Sequence, residues 1–238
     1  NDSTKARVFN EQFSSVFTDE CLTNIPLSEQ VTIMNGKLSE VYFSQEDILK
    51  HLQSIKPNKA SGPDEISARI LREAATEVSM PLYIIFKHSL ESGCIPEDWK
   101  NAYVVPIFKG GSKTKVDNYR PVSLTFIVCK ILEKIIKCNI IRHIEQNELL
   151  LPSQHGFRTG RSCLTNLLDF LDYTTDLVDK GMKVSVVYLD FCKAFDKVPH
   201  RRLIVALQNH GLDGSLLKWI ETWLRGRKQR VVINGQKS

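Results

Sequence analysis

The chain has 238 residues, of which 42% are hydrophobic and 25% are charged. This is the composition of a folded globular domain with a sizeable apolar core, and it excludes a disordered or low-complexity protein. The formal net charge of +5 fits a polyanionic partner, although proteins without such a partner often carry as much.

The cysteines and the hydropathy pattern indicate a compartment. The six cysteines are scattered, with no C-x-x-C pair, so we expect buried, reduced thiols. They are Cys21, Cys94, Cys129, Cys138, Cys163 and Cys192. The absence of a signal peptide and of a long apolar run predicts an intracellular protein that does not enter a membrane. Because the sequence starts at Asn1 and stops after a predicted strand, we expect it to be part of a longer protein.

The first third of the chain predicts helices and one loop. Apolar spacing predicts a packing helix over residues 6–17, and Ser44 with Asp47 predicts a capping box that starts the next helix. Residues 56–65, KPNKASGPDE, consist of turn formers and predict an exposed loop. Two more helices follow, with a predicted boundary at Met80 and Pro81.

The middle of the chain predicts a strand, a basic loop and a long helix. The apolar run at residues 102–109 predicts a strand that opens into a glycine-containing basic loop. Helical spacing then predicts one helix over residues 122–147. The segment LLPSQHGFRTGRS, residues 150–162, ends that helix as a loop.

The last third predicts three helices and two strands. Ser162 is a predicted N-cap for a helix over residues 163–180. VSVVYLD, residues 184–190, predicts a strand suited to the middle of a sheet, because it is almost wholly apolar. Helices near residues 202–209 and 215–225 and the strand RVVI complete the set. Helices packed on one face of a modest sheet predict an α+β fold.

Asp190 is the first candidate for chemistry. A carboxylate at the end of a buried apolar strand is costly to desolvate unless a cation or hydrogen-bond donors stabilise it, which favours a functional role. Strands also end in Asp because the next residue starts a turn, so both interpretations stay open on the strand alone.

Four sequence blocks resemble the reverse transcriptases of non-LTR retrotransposons, the LINE elements, and among them the jockey-like branch. In order they are KPNKASGPDEI, VVPIFKGG followed by NYRPVSL, QHGFRTGRS, and LDFCKAFDKVPH. The resemblance implies the fingers and the first part of the palm of a right-hand polymerase over residues 56–238, and a helical N-terminal extension over residues 1–55. It also implies that the chain stops before the family's Y-x-D-D motif and thumb.

The resemblance implies roles for the residues around Asp190. Asp190 would bind both ions in two-metal catalysis by Mg²⁺, with Mn²⁺ as an alternative ion, and the main-chain carbonyl of Phe191 would be a further ligand. Phe195 matches a steric gate against the ribose 2′-hydroxyl, or is an ordinary core phenylalanine. Lys109 and Arg120 match positions that contact the incoming triphosphate.

Four more basic residues match template or primer contacts. Lys56 and Lys59 lie in a block that family members place along the template, and Arg158 and Arg161 could hold backbone phosphates. Each of them alone is also compatible with an ordinary surface charge.

The implied activity is RNA-templated DNA synthesis. The implied partners are an RNA template, a DNA primer or target DNA, and deoxynucleoside triphosphates, with target-primed synthesis in the nucleus and a cytoplasmic ribonucleoprotein stage. No D-D pair occurs in the sequence, so we expect the 238 residues alone to be inactive. The alternatives are a non-catalytic nucleic-acid-binding remnant and an RNA-templated RNA polymerase, against which Phe195 argues.

Overall fold

The computed structural model describes residues 1–20 and 33–238. Within these ranges the helices are α1 (Asp2–Ser14), α2 (Gln45–Gln53), α3 (Ala68–Glu73), α4 (Ala75–Ser92), α5 (Ile127–Gln146), α6 (Cys163–Asp179), α7 (His200–Asn209) and α8 (Gly214–Leu224). The strands are β1 (Asn101–Phe108), β2 (Tyr119–Leu124), β3 (Lys228–Ile233) and β4 (Gln236–Lys237). Cys21 lies outside the described residues.

The four strands form one sheet in the order β2-β1-β3-β4. β1 and β2 are an antiparallel hairpin in which Phe108 lies opposite Tyr119. β3 runs parallel to β1, with Asn101 opposite Lys228, and β4 pairs antiparallel with β3. A small mixed sheet with helices around it confirms the predicted mixture of helices and strands.

The larger core lies between the helices. Ile48 of α2, Phe86 of α4, Leu132 of α5 and Trp219 of α8 are buried together. The Trp219 indole N–H donates a 2.9 Å hydrogen bond to Ser89 Oγ, and that hydroxyl donates to a backbone carbonyl. The Trp219 and Ser89 polar groups in this core are therefore paired, as most buried polar groups are.

A smaller core joins α1 to the sheet. Ala6 and Phe13 of α1 are buried with Val104 of β1 and Val231 of β3. The predicted N-terminal helix is confirmed, but its buried face is narrower than predicted, since Val8 is exposed. The N-terminal residues thus pack on the sheet, and the predicted domain boundary at residue 55 stays a prediction.

The predicted capping signals are confirmed at two helices. Ser44 and Asp47 form the reciprocal capping box at the start of α2. Ser162 caps α6 in the same way with Thr165. Residues 56–65 form an irregular loop, and Gly93 ends α4 in the left-handed conformation.

The predicted boundary at Met80 and Pro81 is wrong. α3 ends at Glu73, and Pro81 lies inside α4, where it removes one backbone hydrogen bond. The apolar face of α4 runs through this point, because Ala75 and Leu82 are both buried. Burial of a continuous helix face outweighs the lost hydrogen bond.

The predicted start of the long helix at residue 122 is also wrong. Residues 119–124 form β2, and α5 begins only at Ile127. β2 is an edge strand of the sheet, which is where a strand tolerates a proline such as Pro121. Pairing with β1 therefore decides the conformation of a segment whose apolar spacing also fits a helix.

The prediction of buried cysteines holds for one of the five described. Cys129 is buried on α5, and burial raises the pKa of its thiol. The other four described thiols are exposed, because they lie on surface turns or on the solvent side of helices. These are Cys94, Cys138, Cys163 and Cys192.

Candidate functional site

The segment that carries Asp190 is not a strand in this structure. Residues 184–190 pair with none of the strands in the described ranges. Val187, Tyr188 and Leu189 are 79%, 84% and 90% exposed. The prediction of a central strand is therefore wrong here. An apolar strand becomes a sheet element only when a neighbour satisfies its backbone groups, and the described residues place no neighbour beside it.

Asp190 is a solitary carboxylate in the described part of the chain. It is exposed, as is Phe191, and it makes no hydrogen bond or ion pair with another described residue. Across residues 1–20 and 33–238, no group of three or more His, Cys, Asp or Glu side chains is arranged to hold a metal ion. Two Mg²⁺ ions need several hard oxygen ligands. These residues alone do not complete such a site.

The residues after Phe191 form a compact turn. The Lys197 amide donates to the Lys193 carbonyl at 3.1 Å, and the Thr18 hydroxyl donates to the Lys197 carbonyl at 3.0 Å. The ring of Phe195 is 79% exposed and meets Phe157 edge to face, with centroids 6.0 Å apart. The structure thus places the predicted gate residue beside the QHGFRTGRS loop, away from the apolar core.

Glu20 holds the end of this turn from the N-terminal side. Its carboxylate accepts hydrogen bonds from the backbone amides of Arg201 at 2.9 Å and Arg202 at 3.1 Å, at the start of α7. α7 has no capping side chain of its own, because its N-cap is Pro199. No local spacing rule predicts a helix cap from a residue so distant in the chain. The missing local cap was the only available signal.

Two predicted nucleotide contacts meet at one cavity. Lys109 and Arg120 lie at the ends of β1 and β2 and line a cavity of about 220 Å³. Lys193 and Asp196, from the turn after Asp190, line the same cavity. The antiparallel pairing of β1 with β2 brings the two cations together, and the turn adds a third. Asp117 also lines the cavity, so three cations stand against two carboxylates, and the excess of positive charge favours an anion.

α1 forms one wall of this cavity, which the sequence did not predict. Gln12 and Phe13 line it, and the Gln12 amide donates a 2.8 Å hydrogen bond to Asp117 in the loop between β1 and β2. Asp196 also lines a neighbouring cavity of about 570 Å³, together with Phe195. The turn after Phe191, which carries Phe195 and Asp196, therefore lies between two adjoining cavities.

The arginines of the QHGFRTGRS loop are engaged within the protein. Arg158 donates a 3.2 Å hydrogen bond to the Leu151 carbonyl. Arg161 lies 3.6 Å from the Asp169 carboxylate, which also lies 3.0 Å from the His155 ring. The sequence does not predict the contact between His155 and Asp169, because the first lies on a loop and the second on a helix. These contacts fix the loop on α6.

Lys56 and Lys59 line a different cavity, of about 490 Å³. Both lysines are exposed, and they face Lys130 and Lys134 of α5 across it. The sequence did not predict the two α5 lysines as site residues, since their spacing equally fits the exposed side of a helix.

No helix in the described ranges is both long enough and apolar enough to cross a bilayer.

Comparison with known proteins supports the resemblance to reverse transcriptases. Residues 109–238 match the family described as "Reverse transcriptase (RNA-dependent DNA polymerase)". The chain is 28% identical over 194 residues to an RNA-directed DNA polymerase from mobile element jockey of Drosophila funebris, an alignment that covers 81% of this chain and 21% of the relative.

Two further relatives come from other elements. A probable RNA-directed DNA polymerase from transposon BS of Drosophila melanogaster is 26% identical, over 67% of this chain and 18% of the relative. A retrovirus-related Pol polyprotein from type-1 retrotransposable element R2 of Popillia japonica is 27% identical, over 75% of this chain and 24% of the relative. The chain thus spans about a fifth of the length of these relatives.

Proposed function

Since the chain belongs to the reverse transcriptase family, of the kind found in non-LTR retrotransposons, we propose that the polypeptide containing it copies RNA into DNA. The substrates would be deoxynucleoside triphosphates, an RNA template and a DNA primer or target DNA. The observation that carries the proposal is the cavity where Lys109, Arg120 and Lys193 meet beside Asp196, because it joins two of the family's sequence blocks in one anion-binding place.

Within that function, the chain would supply the fingers and the first part of the palm of a right-hand polymerase. In support, the β1 to β2 hairpin presents two cations at the cavity. Residues 184–190 have strand-type sequence but expose their apolar side chains. A pairing strand from elsewhere in the longer polypeptide would cover them and satisfy their backbone groups.

The proposed nucleotide contacts follow from charge and shape. Lys109 and Arg120 would neutralise the triphosphate, since cations held by a paired hairpin need little reorganisation to meet it. Phe195, whose ring is open to the neighbouring cavity, would exclude a ribose 2′-hydroxyl by steric contact. Lys56, Lys59, Arg158 and Arg161 would contact template or primer phosphates.

We propose Mg²⁺ as the ion, with Mn²⁺ as a substitute. The ligands from this chain would be the Asp190 carboxylate and the Phe191 carbonyl. In the described ranges no group of three or more His, Cys, Asp or Glu side chains surrounds them, so the remaining ligands would come from elsewhere in the longer polypeptide. We also propose target-primed synthesis in the nucleus, preceded by a cytoplasmic ribonucleoprotein stage.

Primer extension by the longer polypeptide tests the function. It should extend a DNA primer on an RNA template with deoxynucleotides, and much less well with ribonucleotides. Phe195→Ala should narrow the difference between the two sugars. Equal use of both sugars by the unaltered protein would contradict the gate, and failure to copy RNA would contradict the proposed function.

The second candidate is a nucleic-acid-binding remnant without catalysis. Among the described residues, Asp190 is exposed and belongs to no group of potential metal ligands, which favours this candidate for the 238 residues by themselves. We expect salt-sensitive binding of nucleic acid and no incorporation by the isolated chain. Template-dependent incorporation by these residues alone would overturn that expectation.

A further inference from the structure

A cleft lined by lysines lies between the loop after α2 and the face of α5. Lys56 and Lys59 form one side, and Lys130 and Lys134 form the other. We propose that this lysine cleft binds the phosphodiester backbone of a nucleic-acid strand, with Lys130 and Lys134 as contacts that deepen the proposed function and rest on it.

The turn that carries the first two lysines is closed by its own backbone. The Lys59 amide donates to the Lys56 carbonyl at 3.1 Å, with Pro57 and Asn58 between them. Proline at the second position of a β-turn fixes φ in advance. Both lysines therefore leave the same end of a rigid turn, and both line the cleft.

Close packing fixes the loop against the start of α5. A Cβ atom added at Gly62 would lie 2.7 Å from the carbonyl carbon and oxygen of Thr125, which precedes the helix. Only glycine permits that approach. The two sides of the lysine cleft are thus held together before any ligand binds.

The cleft concentrates positive charge. Within the described part of the chain, no acidic residue lines it, and its fifth titratable group is His51. Burial, followed by the charge of Lys59, lowers the pKa of Lys130. Glu133 and Asp64 oppose that shift only partly. A polyanion would relieve this repulsion on binding.

His51, which also lines the cleft, experiences the same repulsion from a neighbouring lysine. Burial, followed by the charge of Lys134, lowers the pKa of His51, against a smaller opposite effect of Asp47. Mutual repulsion across the cleft therefore involves groups from α2 and α5 as well as the turn.

The shape favours a strand over a single ion. Lys130 and Lys134 are one turn of α5 apart, which spaces them by about 6 Å along the helix. The cleft measures about 490 Å³, and the buried residues Ile127 and Ile131 form an apolar floor between the cations. Cations along a line with an apolar floor suit successive phosphates with sugars between them, since a lone phosphate would use only part of the site.

The test compares two charge-matched double variants of the 238-residue chain. Lys130→Gln with Lys134→Gln alters the cleft. Lys5→Gln with Lys87→Gln removes the same charge from exposed helix lysines that pair with Asp2 and Glu91 elsewhere. Binding of a labelled 20-nucleotide RNA is measured by fluorescence anisotropy between low and high salt, and circular dichroism checks the fold.

The cleft variant should bind about 25-fold more weakly at 0.1 M salt. This follows from two lost phosphate contacts, each worth about 0.7 in the slope of log affinity against log salt, so the slope should fall by about 1.4. The control should lose much less. Equal losses of RNA affinity in the two variants, with salt-dependent binding by the wild type, would overturn the proposal for the lysine cleft. That result would not affect the proposed RNA-directed synthesis by the longer protein. Failure of primer extension would instead remove the proposed function.

Two more measurements keep the outcome decisive. Acylation of surface amines should spare Lys130 and Lys134 when RNA is bound and should still modify Lys5 and Lys87. Unchanged acylation of the α5 lysines would overturn the proposal even if a variant misfolds. Inorganic phosphate, supplied at the same concentration of phosphate groups as the RNA, should not displace the RNA. Displacement would show that the cleft binds simple anions and would overturn the proposal of a nucleic-acid strand.

Discussion

Replacing Glu20 tests whether the N-terminal segment holds the motif that contains Asp190. Its side chain is only 13% exposed, and its carboxylate accepts the first free amides of α7 at 2.9 and 3.1 Å. Loss of a helix cap costs about 1 kcal/mol, and loss of a partly buried negative charge at a helix N-terminus costs about as much again. Glu20→Ala should therefore lower the free energy of unfolding by about 2 kcal/mol.

Glu20→Gln keeps one acceptor and loses the charge, so it should cost about 1 kcal/mol. The matched control is Glu11→Gln, because Glu11 is exposed on α1 and lies 3.9 Å from Arg7, an ion pair worth about 0 to 0.5 kcal/mol.

Chemical and thermal denaturation, both followed by circular dichroism, measure all three variants. In a chain of this size, Glu20→Ala should lower Tm by about 4 to 8 °C. Trypsin should also cleave faster at Lys197 and Arg201, since the start of α7 would open more often. A Glu20→Ala protein as stable as the Glu11→Gln control would refute the account of this cap.

Three other changes test the packing that supports the site. Ser89→Ala should cost about 1 to 3 kcal/mol in denaturation experiments, because it leaves the buried Trp219 N–H without an acceptor, and a smaller loss when Trp219→Phe is also present would confirm their coupling. Gly62→Ala should cost about 1 to 3 kcal/mol and weaken RNA binding, since its Cβ would meet the Thr125 backbone; an unchanged Tm would contradict the close approach. The backbone amide and hydroxyl at the start of α2 hold the pKa of Asp47 below its usual range, so its stabilisation is present above about pH 4 and lost as pH falls further; Asp47→Asn should cost stability at pH 7 and little near pH 2, and an equal cost at both would contradict this.

Local signals in the sequence predicted local structure well. The capping box at Ser44, the cap at Ser162 and the ending of α4 at Gly93 depend on groups a few residues apart, and the structure confirms each. The strand β1 and the helices α7 and α8 also follow from spacing alone. In each case the physical cause lies within the segment.

Features that depend on distant partners were missed or misjudged. β2 forms because β1 lies beside it, although its sequence continues into a helical pattern. Residues 184–190 pair with no strand in the described ranges, and strand propensity without a neighbour leaves backbone groups to solvent. Glu20, which caps α7, lies 181 residues before Arg201 in the sequence.

In the candidate site, too, motifs identify some residues and only tertiary packing identifies the others. Motif resemblance selected Lys109 and Arg120, and the hairpin brings both to one cavity. It did not select Lys193, Lys130 or Lys134, because a lysine on a turn or helix surface has no sequence signature of what faces it. Their positions are consequences of tertiary packing.

The measurement that most directly tests the central claim is primer extension by the longer polypeptide with Asp190→Asn. Replacement should lower RNA-templated incorporation of deoxynucleotides by more than about a hundredfold, since even outer-shell partners of a metal site cost about 10- to 100-fold. Asp172→Asn, which changes an exposed carboxylate on α6, serves as the control and should retain activity. Activity of the Asp190→Asn protein comparable to this control would contradict the assignment of Asp190 as the catalytic aspartate.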